Sequence, residues 1–127
     1  MNRILFFFAS LIVIVLTGCS GSKTYRGAWK AMDADGQKFE LFFDAKSFSI
    51  KDITGGTKQY DYTQNSISIE NSVETYGIQL ADGRSYQINF PNTGNETVGL
   101  IKDGNGMPVY TISRNGYLQY GDIFKLK

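Results

Sequence analysis

Between Phe39 and Ile112 the chain repeats one device: apolar side chains at every second position, in runs too short to make a helix. Phe39, Leu41 and Phe43 alternate with Glu40 and Phe42, and Phe48 and Ile50 alternate with Ser47, Ser49 and Lys51. Tyr60 and Tyr62, Ile67 and Ile69, and then Tyr76, Ile78 and Leu80 keep the same spacing. Tyr86, Ile88 and Phe90, then Val98 and Leu100, then Tyr110 and Ile112 complete the series. A period of two sets each group on one face of a strand, and β-branched and aromatic side chains suit that pleated surface. No helical period persists for a dozen residues.

The breaks between runs are turn chemistry. Asp35-Gly36, Gly55-Gly56, Asp82-Gly83, Asp103-Gly104 and Asn115-Gly116 are pairs that tolerate positive φ and so suit hairpin turns. Residues 91–95 read as a longer loop, and Pro108 opens a strand or lies on an edge, because it cannot donate to a ladder. The expectation is all-β: an antiparallel up-and-down meander of eight to ten strands. Such a meander closes into a small barrel or folds into a two-sheet sandwich.

The N-terminus follows another rule. Arg3 supplies one charge, and residues 4–16 are apolar except for Ser10. Thirteen residues match the core of a signal peptide and fall short of the roughly 20 that span a bilayer. The run ends at Leu16-Thr17-Gly18-Cys19, which resembles the lipobox of bacterial lipoproteins, with Thr17 departing mildly from the commoner Ser or Ala. The resemblance implies a diacylglycerol on the Cys19 thiol, palmitate-class acyl chains and cleavage before that residue. It also implies an extracytoplasmic protein held on the cell membrane, or on the outer membrane if the cell is Gram-negative. Residues 1–18 would be signal peptide, 19–24 the lipidated cysteine and a flexible tether, and 25–127 one barrel domain. Two acyl chains, at about 0.8 kcal/mol per buried methylene, make such an anchor effectively permanent.

Gly27-Ala28-Trp29-Lys30, followed by a turn and a strand, resembles the opening of lipocalin-like barrels. The turn Asp44-Ala45-Lys46, then Tyr60-x-Tyr62 and Ser66-Ile67-Ser68-Ile69, extend the likeness over most of the chain. It implies that Trp29 closes one end of the barrel beneath a basic residue of a late strand, and Arg114 is the candidate. A tryptophan in the core of some other β-domain would satisfy Gly-x-Trp equally well.

Catalysis has little to work with. The chain of 127 residues has no histidine and one cysteine, so a Ser–His–Asp triad, a Cys–His pair and the usual zinc sets are excluded. Glu40, Asp61, Glu70 and Glu74 show no spacing that would make a facing carboxylate pair. Asp33-Ala34-Asp35-Gly36 and Asp103-Gly104-Asn105-Gly106 open like calcium loops, yet their twelfth positions are Asp44 and Arg114, not the required bidentate glutamate. We therefore expect a non-enzyme with no metal and no cofactor. After removal of eighteen residues the side chains balance at 12 acidic and 12 basic, which argues against a nucleic-acid partner.

The tyrosines are the remaining lead. Tyr60, Tyr62, Tyr76, Tyr86 and Tyr110 fall at core-facing strand positions and would either line a ligand cavity or fill the barrel. A barrel this small has a tight interior, which favours filling. Tyr117 and Tyr120 read as surface or edge residues suited to a protein contact. The functional expectation is a lipid-anchored binding protein for a small apolar or amphipathic molecule or an envelope protein. The alternatives are an immunity-type lipoprotein that intercepts an antimicrobial peptide, and a structural component of an envelope complex.

Overall fold

The computed structural model describes residues 20–71, 73–92 and 94–123; Cys19 and the apolar run before it lie outside them. Eight strands follow one another: β1 Gly27–Asp33, β2 Lys38–Phe43, β3 Ser47–Asp52, β4 Thr57–Glu70, β5 Val73–Leu80, β6 Ser85–Phe90, β7 Val98–Asp103 and β8 Pro108–Ser113. Each pairs antiparallel with its sequence neighbour, and β8 returns to β1 through Lys30↔Ser113, Ala31↔Ile112 and Asp33↔Tyr110. The sheet is a closed barrel, so the sandwich is excluded. A one-turn helix α1, Tyr120–Ile123, follows β8.

One end of the barrel is made by a single turn used four times. In each, residue i donates its N–H to the carbonyl of i+4 and accepts from the N–H of i+3, with i being Asp33, Asp52, Leu80 or Asp103. The residue at i+3 is a glycine of positive φ: Gly36, Gly55, Gly83 or Gly106. This is the three-residue hairpin loop that ends in a left-handed residue, not the two-residue turn the dipeptides suggested. Gly106 supplies the positive φ where Gly104 was expected, and Asn115-Gly116 joins no strands among the described residues. Asp33, Asp52 and Asp103 each accept backbone N–H groups from i+2 and i+4, so their carboxylates hold turns. Among the described residues no group of three or more Asp, Glu or Cys side chains could cage a metal.

The interior is one cluster. Trp29, Ala31, Leu41, Phe43, Tyr62, Tyr76, Ile78, Leu80, Ile88, Phe90, Ile101 and Ile112 are buried in it together with Tyr25, which precedes the first strand. Two expectations need correction. Ile67 and Ile69 are 52% and 65% exposed, not buried. A bulge between Gln64 and Ser66 shifts the register of β4, so Ile67 opposes the inward Tyr76, but β4 has by then left β3, which pairs with it only as far as Asp61.

The segment before Tyr25 is also not a free tether. The Gly21 N–H donates to the Ala45 carbonyl at 2.7 Å, its own carbonyl accepts from Arg26 Nε at 2.7 Å, and the Ser22 N–H donates to Gln64 Oε1 at 2.9 Å. A side chain at Gly21 would begin 1.9 Å from the Tyr62 hydroxyl, so only glycine fits there. Residues from Gly21 are thus held against the barrel, four residues earlier than the expected domain boundary at Tyr25.

Candidate functional site

The two ends of the barrel bring together different halves of the expected residue set. At the end opposite the four turns, Trp29 is buried and its indole N–H donates to the Tyr25 carbonyl at 2.8 Å. The Arg114 guanidinium lies over the ring, 3.6 Å from its centroid. Its Nη1 donates to the Ala28 carbonyl at 2.9 Å, and its Nη2 to those of Arg26 at 2.8 Å and Thr24 at 3.3 Å. Arg114 thus binds the first turn of chain to the last strand, and burial lowers its pKa from the usual arginine value. Gly27 has a φ of 99°, and a Cβ there would stand 3.1 Å from Arg114 Nη1. A larger residue would be strained in both respects.

Three tyrosines complete this closed end. Tyr25 packs against Phe43 and Tyr76, each with ring centroids 5.3 Å away, and its hydroxyl donates to Gln64 Oε1 at 2.7 Å. The Tyr62 hydroxyl donates to the Asp44 carbonyl at 2.6 Å. That of Tyr76 donates to Glu74 Oε1 at 2.7 Å and lies 3.1 Å from Thr24 Oγ1. Burial raises the pKa of all three above the ordinary phenol value. Tyr25 and Gln64 were missed by sequence reasoning. Tyr25 precedes the first strand and takes part in no alternation, so its only signal was an aromatic ring beside Gly27-x-Trp29.

The other three expected tyrosines stand apart from these. Tyr60, Tyr86 and Tyr110 line a cavity of about 360 Å³ that opens among the turns. Phe39, Leu41, Phe48 and Ile50 form its apolar walls, Phe43 lies beneath, and Asp52, Lys58 and Arg84 reach its rim. Arg84 lies 5.2 Å above the Tyr60 ring and is held by Asp82 through Nη2 at 2.9 Å, while its Nη1 reaches the Tyr86 hydroxyl at 3.4 Å. This pairing lowers the Asp82 pKa. Tyr110 stacks edge-on against Phe39 at 5.5 Å, and burial raises its pKa. So the five tyrosines expected as one set divide, with Tyr62 and Tyr76 filling and Tyr60, Tyr86 and Tyr110 lining.

Outside the barrel, Tyr117 is half-buried beneath the ammonium groups of Lys30 and Lys38, at 5.3 and 5.1 Å, while Tyr120 is exposed. Tyr120 also borders an open groove formed with the β1–β2 turn and the start of β8. No protein-family model, curated protein or solved structure matches the chain.

Proposed function

We propose that this is a lipid-anchored extracytoplasmic binding protein that takes a small apolar or amphipathic molecule into the mouth of its barrel and does no chemistry on it. The cavity among the turns carries the reading. Its volume of about 360 Å³ sits at the low end of the range that small-molecule sites occupy, about 300–1,000 Å³. Its walls are aliphatic and aromatic, and its few polar points converge on the rim: three phenol hydroxyls, Lys58 and the Asp82–Arg84 pair. That arrangement suits a ligand with an apolar body and a polar head left in water. Attachment through Cys19 rests on Leu16-Thr17-Gly18-Cys19 and the short apolar run before it.

The test is titration of the lipidated protein in nanodiscs with a panel of fatty acids and small aromatic amphiphiles, followed by calorimetry. Wild type should bind at least one of them with 1:1 stoichiometry. Ile50→Trp, which fills the cavity, should abolish that binding while the thermal transition is retained. Binding of a cationic antimicrobial peptide in place of the small molecules would turn the assignment toward an immunity role. Binding that survives Ile50→Trp would put the site elsewhere.

A further inference from the structure

We infer that the closed end of the barrel is a membrane-contact face, on which Ile67 and Ile69 of the β4–β5 hairpin seat in the interfacial region of the bilayer that holds Cys19. The inference rests on lipidation at Cys19 and adds to it an orientation. Consecutive Cα atoms are about 3.8 Å apart, so two residues place Cys19 within about 7 Å of Gly21. Gly21 is not free to swing, because it is buried, bonded to Ala45 and Arg26, and backed by the Tyr62 hydroxyl. A lipid at Cys19 therefore has almost no leash, and the end of the barrel that carries Gly21 stays against the bilayer.

That same end carries the exposed isoleucines. The bulge in β4 turns Ile67 and Ile69 to the inner face, opposite Tyr76 and Glu74, where β4 no longer has β3 beside it and both side chains stay exposed. Of the other large exposed apolar side chains, Ile53 and Met107 lie in turns at the open end and Tyr120 in α1, while Phe42, opposite Ala28, faces outward on β2 near the closed end. β3 pairs with β4 only as far as Asp61, so residues 63–70 have no strand on that side among the described residues. Unpaired backbone groups are costly in hydrocarbon, so the contact belongs to the hydrated interface and not the bilayer core. Around this end Lys23, Arg26, Lys46 and Arg114 are balanced by Asp44, Glu70, Glu74 and Glu96. Apolar contact thus drives the seating, and anionic lipid is not required. The cavity mouth, at the opposite end, then faces away from the membrane.

Because the Cys19 thiol is taken by lipid, Ile69→Cys or Ile53→Cys in the full lipidated chain can be labelled singly with an environment-sensitive dye. The labelled proteins are reconstituted in phosphatidylcholine vesicles with and without headgroup-region nitroxide lipid. The dye at residue 69 should be blue-shifted and quenched at least threefold more strongly than the dye at residue 53. Ile67→Cys, also at an exposed site, should repeat the result at 69. Water-like emission at both ends, on protein that floats with the vesicles, overturns the inference and leaves the lipid anchor standing. A blue shift at 69 without nitroxide quenching also overturns it, because the hairpin would then be covered by protein, such as a strand added at the free edge of β4. Protein that does not float at all refutes the anchor itself, and the inference falls with it.

Discussion

The closed and open ends of this barrel are made from the same kinds of residue and differ in what their tyrosines touch. At the closed end the hydroxyls of Tyr25, Tyr62 and Tyr76 all have protein partners, and an N-terminal segment lies across them. At the open end no segment of the described residues is bonded across the mouth as residues 21–26 are at the other. Tyr86 meets only the tip of Arg84, and the Tyr110 hydroxyl has no hydrogen-bond partner among the described residues. A buried phenol is a filler where the chain supplies an acceptor, and a cavity wall where water or a ligand must do so. Closure therefore comes from residues 21–26 and Arg114 acting with the strand residues Trp29, Tyr62 and Tyr76.

The strongest way to break this contrast is at Trp29. Trp29→Ala removes a buried indole whose N–H and face are both occupied, and should cost about 3–5 kcal/mol in chemical denaturation. A loss below about 1 kcal/mol would mean that the closed end is not a packed unit. Arg114→Ala comes next. It gives up a cation–π contact and charge-assisted bonds to the carbonyls of Ala28, Arg26 and Thr24, which together contribute about 2 kcal/mol. In a double-mutant cycle the two losses should be non-additive by more than about 0.5 kcal/mol. Additivity would separate Arg114 from the indole and leave it as a clamp on the backbone alone.

How far the sequence carried this picture differs between the ends. Alternation of period two and glycine-bearing turns were enough for an antiparallel meander of eight to ten strands, because both signals are local, but they left barrel and sandwich open. Trp29 and Arg114 were paired in advance only through a family likeness; nothing in their separation along the chain brings them together. The division of the tyrosines was not legible, since it depends on residues 21–26 folding back over one end, and that segment has no periodicity. Ile67 and Ile69 were misplaced for a related reason. The alternation was real, and its switch from even positions at Tyr60 and Tyr62 to odd ones at Ile67 and Ile69 is the mark of the bulge, but the loss of the β3 neighbour beyond Asp61 leaves no mark in the pattern.

Base should find the closed end before acid does. Burial raises the pKa of Tyr25, Tyr62 and Tyr76, and of Tyr110 at the mouth, above the usual value of about 10. For a group whose folded pKa is raised, the linked stability is whole below the unfolded value and falls as pH rises through the folded one. Stability should therefore be insensitive to tyrosine ionisation below about pH 10 and decline above it. Absorbance of phenolate near 295 nm, followed with pH alongside circular dichroism, should show an early group of tyrosines and a late group that ionises with unfolding. Tyr25→Phe should shrink the late group by one. Simultaneous ionisation of all eight tyrosines with the fold intact would refute the distinction between filled and open ends.

The smallest effect is the sharpest test of that distinction, because it removes one oxygen atom at each end. Tyr25→Phe keeps the ring packed on Phe43 and Tyr76 and deletes the donor to Gln64 Oε1. That amide oxygen still accepts from the Ser22 N–H, so no buried acceptor is stranded and the cost should be about 1 kcal/mol. Tyr110→Phe also keeps its edge contact with Phe39 but deletes a hydroxyl with no protein partner, so stability should stay within about 0.5 kcal/mol of wild type. Its effect should fall instead on ligand affinity, since a hydroxyl facing the cavity is available to a bound polar head and one facing Gln64 is not. Equilibrium unfolding and ligand titration on the same two variants check both halves. Equal destabilisation by both, or loss of binding from Tyr25→Phe with Tyr110→Phe unchanged, would assign lining to the wrong end of the barrel.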